Sequence, residues 1–334
     1  MANLKNTTVT GTLDVTGYTT SLTPAHTDSS NKAATTEFIS GYTTGGRGVF
    51  GGGSTSSNYN NIDYITISTP GNAIDFGDLT IGRQNNGTSN GTNNRGIFVG
   101  GHNGSYLNTI DYITISTLGN AMYFGDLTVA SNRTATSNGT SNRGIAITSG
   151  TNMEYITIST LSNSVAFGSL ITSLDLRASC SNGTNNRGIF TGGFNGTTVL
   201  NTIEYITIST LGNSIDFGDI TVARYSPGST SNGTSNRGVI GSGSLHGSDI
   251  NVIDYITIST PGNAIDFGDL TVIRNNAQAT SNGTNNRGIF GNGYSGSYAS
   301  NNVIDYVNIN IPSNAINFGI LTVSRNNAGT ISNS

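Results

Sequence analysis

The chain has 334 residues, 46 of them glycine, with no tryptophan, one cysteine, 10% charged side chains and a formal net charge of −4. That balance provides no basic footprint for nucleic acid, and the lone Cys180 excludes an internal disulfide framework and a cysteine-based metal cluster. Few Lys and Glu, many β-branched residues, and Asn, Thr and Ser at most polar positions argue against helices and for short strands joined by tight turns.

The first 44 residues stand apart. MANLKNTTVTGTLDV lacks the apolar stretch of a signal peptide, and no later apolar run reaches the ~20 residues of a membrane span. The expectation is a protein made in a cytoplasm, with no membrane insertion. A Thr/Gly-rich, β-prone stretch (6–17) precedes HTDSSNKAATTEFISG (26–41), which has a helix-capable run from Ala33 to Ile39. A piece of this size buries little by itself. It is expected to gain a core by oligomerising or by docking on a partner.

From residue 45 to 334 the chain repeats one unit six times. Arg-Gly recurs at Arg47, Arg95, Arg143, Arg187, Arg237 and Arg287, with spacings of 48, 48, 44, 50 and 50. An acid–tyrosine pair follows each time, with the acid at Asp63, Asp111, Glu154, Glu204, Asp254 and Asp305, and then a Phe-Gly pair opening at Phe76, Phe124, Phe167, Phe217, Phe267 and Phe318. All twelve arginines lie in the repeats, two per copy; the second set is Arg83, Arg133, Arg177, Arg224, Arg274 and Arg325.

Each copy divides into four extended pieces. In the second copy these are 95–101, 109–117, 121–130 and 135–140. The second piece carries apolar residues on both faces, so both faces are expected to be covered. Gly125, after Phe124, marks an expected bulge, and Pro70-Gly71 an expected type II turn. Four antiparallel strands per repeat predict an all-β fold, a six-bladed β-propeller. The last copy ends on NNAGTISNS (326–334), which aligns with a strand missing before Arg47. That strand is expected to complete the first blade and leave no open edge.

The repeat resembles the kelch propeller unit, whose marks are a Gly doublet, a Tyr and a Trp. The doublet stands at Gly52-Gly53, Gly100-Gly101 and Gly192-Gly193; the Tyr is present six times; the Trp is absent, with Phe76 and its equivalents near its place. The N-terminal phrase Asp28, Ser30, Lys32, Ala34-Thr35-Thr36 and Phe38-Ile39 resembles a segment of bacteriophage tail-fibre proteins. That resemblance implies an attachment segment, a homotrimer, and contact with other virion proteins through residues 1–44. Neither resemblance transfers an activity.

No catalytic or metal constellation is found. His26, His102 and His246 show no metal spacing, and G-x-S-x-G occurs only in Gly/Ser loops. The acid–tyrosine pairs recur six times, whereas an enzyme site breaks symmetry. They are expected to be structural charges balanced by arginine, with no cofactor. The copies differ in the link after each RG strand: 54–61, 102–109, the very short Thr151-Asn152, 194–202, 244–251 and 294–302. Tyr59, His102, Tyr106, Phe194, His246, Tyr294 and Tyr298 lie there and are the candidate ligand-binding residues. The SNGTNN and ST(P/L)GNA links are nearly uniform and belong to the opposite face.

The sequence therefore predicts a non-enzymatic virion protein, a tail fibre or adhesin whose propeller recognises a host-surface glycan or protein. The alternative is a capsid or tail decoration protein with a structural role.

Overall fold

A computed structural model describes residues 46–332 except 90–93, 132–133, 138–141, 182–185, 232–235, 282–285 and 296–298. The stretches expected at 6–17 and 33–39, and most of the SNGTNN links, lie outside the described residues. Gly46–Ser334 forms one unit made of six four-stranded antiparallel sheets, the blades of a β-propeller. In blade 2 the strands run from the centre outward as Gln84–Ser89, Arg95–His102, Tyr106–Thr114 and Met122–Asp126. Blades 3 to 6 repeat this order.

Blade 1 is assembled from both ends of the unit. Gly329–Ser332 is its innermost strand and pairs with Arg47–Gly51 from Gly48↔Ser332 to Gly51↔Gly329. The expected seam is therefore present. Inner strands of neighbouring blades lie side by side around the ring, and Gly329–Ser332 meets Gln84–Ser89 to close it. The inner residues are small because this circle is the tightest, and their hydroxyls bridge strands. Ser89 Oγ donates to the Ser332 carbonyl at 2.6 Å, and Thr330 Oγ1 to the Ala279 carbonyl at 2.8 Å.

The Arg-Gly glycines follow from the same crowding. A Cβ on Gly188 would lie 3.0 Å from Thr136 Cγ2 of blade 3, and one on Gly288 would lie 3.1 Å from Thr230 Cγ2 of blade 5. The third strand is covered on both faces, as predicted. In blade 1, Ile62 packs with Phe98 and Ile113 of blade 2, while Ile65 and Ile67 pack with Ile289 and Phe318 of blade 6. Burial of each such side chain contributes about 1.5–3 kcal/mol.

The bulge at Gly125 is present: Ile110 pairs with Gly125 and Asp111 with Tyr123, leaving Phe124 extra. This turns Phe124 into the core, where it is 2% exposed. The outer strand is shorter than the predicted 121–130 and ends at Asp126, because Leu127 drops into the core. The Pro70-Gly71 expectation needs correction. The hydrogen-bonded reversal comes earlier, with Thr69 N donating to Thr66 O at 3.0 Å, and the φ of Gly71 lies outside the left-handed region. Residues 70–73 instead run along the outer strand of blade 6, where Ala73 N donates to Ile320 O at 2.8 Å. The left-handed residue is Gly319, φ 158°, whose missing side chain makes room for the Gly71 carbonyl. Asn72 Oδ1 accepts from Ile320 N at 3.2 Å, and Asn120, Asn163, Asn213, Asn263 and Asn314 repeat this role. Each uniform link thus covers the exposed edge of the preceding blade, which explains its uniformity.

Candidate functional site

The repeated charges fall into two inter-blade systems. The arginine that opens each repeat lies over the ring of its own acid–tyrosine pair, from Arg187 and Arg237 at 4.5 Å to Arg287 at 4.9 Å. Arg47, Arg95 and Arg143 do the same over Tyr64, Tyr112 and Tyr155. Each tyrosine meets the Phe of its Phe-Gly pair edge to face. The guanidinium then reaches into the next blade: Arg47 donates to Ile115 O, Arg95 to Ile158 O, and Arg287 to Ile67 O, across the seam.

The acids pair with the second arginine set, not with this one. Arg83 bonds Asp111 at 2.9 Å, Arg224 bonds Asp254 at 2.7 Å, Arg274 bonds Asp305 at 2.8 Å and Arg325 bonds Asp63 at 2.9 Å, every pair fully or almost fully buried. Arg177 bonds Glu204 at 3.1 Å. Burial lowers the pKa of each of these five guanidinium groups, and the facing carboxylate opposes the shift. A threonine from the incoming link completes the acid's shell: Thr221 Oγ1 donates to Asp254 at 2.5 Å and Thr322 Oγ1 to Asp63 at 2.7 Å. Among the described residues, five of these arginines thus join one blade's exit link to the acid of the next. Among the described residues no three of His, Cys, Asp and Glu converge as metal ligands.

The faces differ. In an up-and-down blade the loop between the second and third strands and the link entering the next blade share one face. Gly46, ahead of strand Arg47–Gly51, lies at the opposite face, beside the uniform links: its carbonyl accepts from Ile67 N at 2.8 Å. On the variable face an arc of left-handed residues, a partial collar, stands just before four of the inner strands: Leu176 (φ 57°), Ser226 (55°), Asn276 (52°) and Asn327 (52°). Each is bonded to the next. Ser226 N donates to Leu176 O at 2.7 Å, Asn276 N to Ser226 O at 3.0 Å, and Asn85 N to Asn327 O at 3.1 Å.

Outside the collar the variable loops begin with a bridge to the incoming link: Ser54↔Asn326, Phe194↔Asp175, Ser244↔Tyr225 and Tyr294↔Asn275. The candidate residues are spread over five blades. His102 and Tyr106 meet edge to face at 5.2 Å, with Tyr106 66% exposed. Tyr59 is half-buried and its hydroxyl lies 3.1 Å from Thr55 Oγ1. His246 is exposed, with φ 50°, between strands Ser244–Leu245 and Ser248–Asp249. Tyr294 is half-buried beside Asn275, and Tyr298 lies outside the described residues.

Phe194 has a neighbour that sequence comparison did not single out. Its ring lies 6.0 Å from that of Tyr225. Counted from the Phe-Gly pair, Tyr225 occupies the position of Gln84, Asn275 and Asn326, and Leu176 that of Asn276 and Asn327. Aligning the links from that pair, not from the arginines, exposes both substitutions.

No family model matches the chain, and no curated protein matches it. What the architecture defines is a six-bladed β-propeller with a near-symmetric frame and one face on which the blades differ.

Proposed function

We propose that this protein is a phage virion component, a tail fibre or adhesin that attaches through residues 1–44, as a trimer, and recognises a host-surface ligand with the variable face of its propeller. The observation that carries this reading is the position of Gly46. The chain enters the propeller at Gly46 beside the uniform links, on the face opposite the variable loops. The tail-fibre-like phrase from Asp28 to Ile39 supports the attachment role. The left-handed doublets Gly52-Gly53, Gly100-Gly101 and Gly192-Gly193 support kinship with kelch repeats. Frame charges consumed between blades favour a binding scaffold over an enzyme. The test is binding of the labelled full-length protein to a panel of bacterial cells, with imaging of the particle. Adhesion by the wild type, lost on combined Tyr106→Ala, Phe194→Ala and Tyr294→Ala substitution, and a place at the tail tip are expected. Undiminished adhesion by the triple variant would remove the recognition role of that face.

A second reading, a capsid or tail decoration protein, draws support from the uniform face. Its link tips are apolar and exposed in every blade: Pro70, Leu118, Leu161, Leu211, Pro261 and Ile311. Such a ring suits broad contact with a particle surface. Label over the shell, with no adhesion to cells, would favour it.

A further inference from the structure

We propose that the outer edges of blades 2 and 3 join three copies of this propeller into a closed ring, blade 2 of each copy meeting blade 3 of the next. The proposal deepens the trimeric reading above and rests on it; the number three also follows from the angle between these two blades.

The outer strands begin alike. Their first residue is apolar and exposed in every blade, as at Met122, Val165, Ile215 and Ile265. The second and fifth positions separate the blades. Blade 1 carries Asp75 and Asp78 there, blade 4 Asp216 and Asp219, and blade 5 Asp266 and Asp269. Blade 2 carries Tyr123, 55% exposed, and Asp126, whose carboxylate accepts from the Tyr123 hydroxyl at 2.8 Å. Blade 3 carries Ala166 and Ser169. Blade 6 carries Asn317 and Ile320 but stands between the acidic blades 5 and 1. Among the described residues, blades 2 and 3 are therefore the only neighbours whose outer strands hold no carboxylate besides the bonded Asp126.

The uniform links extend this sector. Leu161 heads the link that runs along the outer strand of blade 2, where Asn163 Oδ1 accepts from Asp126 N at 3.0 Å. Leu211 heads the link along blade 3, where Asn213 Oδ1 accepts from Ser169 N at 3.0 Å. Both leucines are exposed. With Met122, Tyr123, Val165 and Ala166 they make an apolar band across two blades, and such bands mark contact sites. Charge selects a second copy as the occupant. Acidic outer strands facing one another oppose association, so two copies meet with least repulsion through this band. Geometry sets the number. Neighbouring blades of a six-bladed propeller face outward about 60° apart. Three equal discs in mutual contact touch at points about 60° apart on each, so blade 2 against blade 3 closes a heterologous ring after three copies. The axis of that ring runs parallel to the channels. It places the three Gly46 positions on one side and the three variable faces on the other.

Sedimentation of the full-length protein measures its mass, and a short bis-maleimide reagent reads the contact. Cys180 is buried and stays out of that reaction. The variant carrying Met122→Cys and Val165→Cys is expected to give a covalent trimer, and either substitution alone to give none. Ile215→Cys with Ile265→Cys places the same positions on the acidic blades 4 and 5 and is expected to remain uncoupled. Tyr123→Asp and Ala166→Asp install the residues of sister blades. Added to the first pair, they are expected to slow coupling about tenfold or more, with thermal unfolding at the same temperature. A covalent dimer from a single-cysteine variant would reveal an isologous contact and overturn the ring, as would species larger than a trimer. A trimeric mass with no coupling at the first pair, or with equal coupling at the second, would overturn the sector and leave trimeric attachment standing. A monomeric mass would overturn both.

Discussion

Ser214 donates its hydroxyl to Glu204 at 2.7 Å within one blade, and Ser164 does the same for Glu154. Those are the two blades with glutamate in the acid–tyrosine pair; the four with aspartate carry Ala73, Ala121, Ala264 and Ala315 at the serine position. The arginine moves with them. Arg83, Arg224, Arg274 and Arg325 stand seven residues after the Phe of their Phe-Gly pairs, while in the links leading to the glutamate blades Ser131 and Leu174 occupy that place. At Glu204 the longer acid, the serine and the displaced Arg177 form one solution; the shorter acid, alanine and the regular arginine form another. Mixing them is expected to fail. Glu204→Asp should lower the midpoint of thermal unfolding, and adding Ser214→Ala, Leu174→Arg and Arg177→Ala should recover much of it. A fourfold variant less stable than the single one would refute the two-set account.

Removing one partner of a buried pair strands the other. Asp254→Ala leaves Arg224 charged, with neither group exposed. A loss of about 3–5 kcal/mol is expected by denaturant titration. A change below about 1 kcal/mol would place the pair among surface-like ones.

The opening arginines act differently, by stacking and by backbone contact with the next blade. Arg237 lies 4.5 Å from the Tyr255 ring centroid and donates to Ile309 O at 3.2 Å and Asn310 O at 2.9 Å. Arg237→Ala is expected to cost about 1–3 kcal/mol. Arg237→Lys should restore only part, since an ammonium lacks the planar fork. Equal stability of Lys and Arg would show that charge alone matters.

The seam offers a coupled test. Ile331, buried in the closing strand, occupies the space a side chain on Gly96 would need; sister blades place Thr280 or Thr88 at the corresponding spot. Ile331→Ala is expected to cost about 2–4 kcal/mol. Gly96→Ala should be strongly destabilising alone and much less so beside Ile331→Thr. Additive effects in this double-mutant cycle would contradict the packing.

Cys180 supplies a pH-dependent prediction. It is fully buried beside Gly238, and burial pushes its thiol up from 9.0 to about 12. The folded pKa is raised, so its stabilising contribution is intact below pH 9.0 and is lost as pH rises toward about 12. The stability difference between wild type and Cys180→Thr, the residue of sister strands, should therefore shift against wild type across that window. Native protein at neutral pH should resist thiol-reactive reagents until unfolded. Rapid native labelling would show that the inner strand opens.

Much of the frame was legible because it repeats. The period and the seam, expected over 326–334 and found at Gly329–Ser332, followed from comparing copies, and the bulge followed from Gly125 after Phe124. The choice of arginine for each acid did not. The pairing crosses into the next copy, as from Arg83 to Asp111, and two chemically alike arginines compete for it within every repeat. The contact of Phe194 with Tyr225 and the left-handed Leu176 were hidden for a related reason. The third copy is shorter, its arginine is displaced, and residues counted from arginines fall out of step there. The outer-strand turn at Pro70-Gly71 misled because the left-handed glycine belongs to the blade it leans on.

The seam has a mechanical consequence. The chain enters strand Arg47–Gly51 from the uniform side, and that strand is hydrogen-bonded along both edges, to Gly329–Ser332 and to Asn61–Thr66. Tension between residue 46 and the opposite face pulls along the strand axis. It loads both hydrogen-bond ladders in shear, together, where a peeling force would break them one at a time. The last strand of the unit thereby clamps the first at the point where it is pulled.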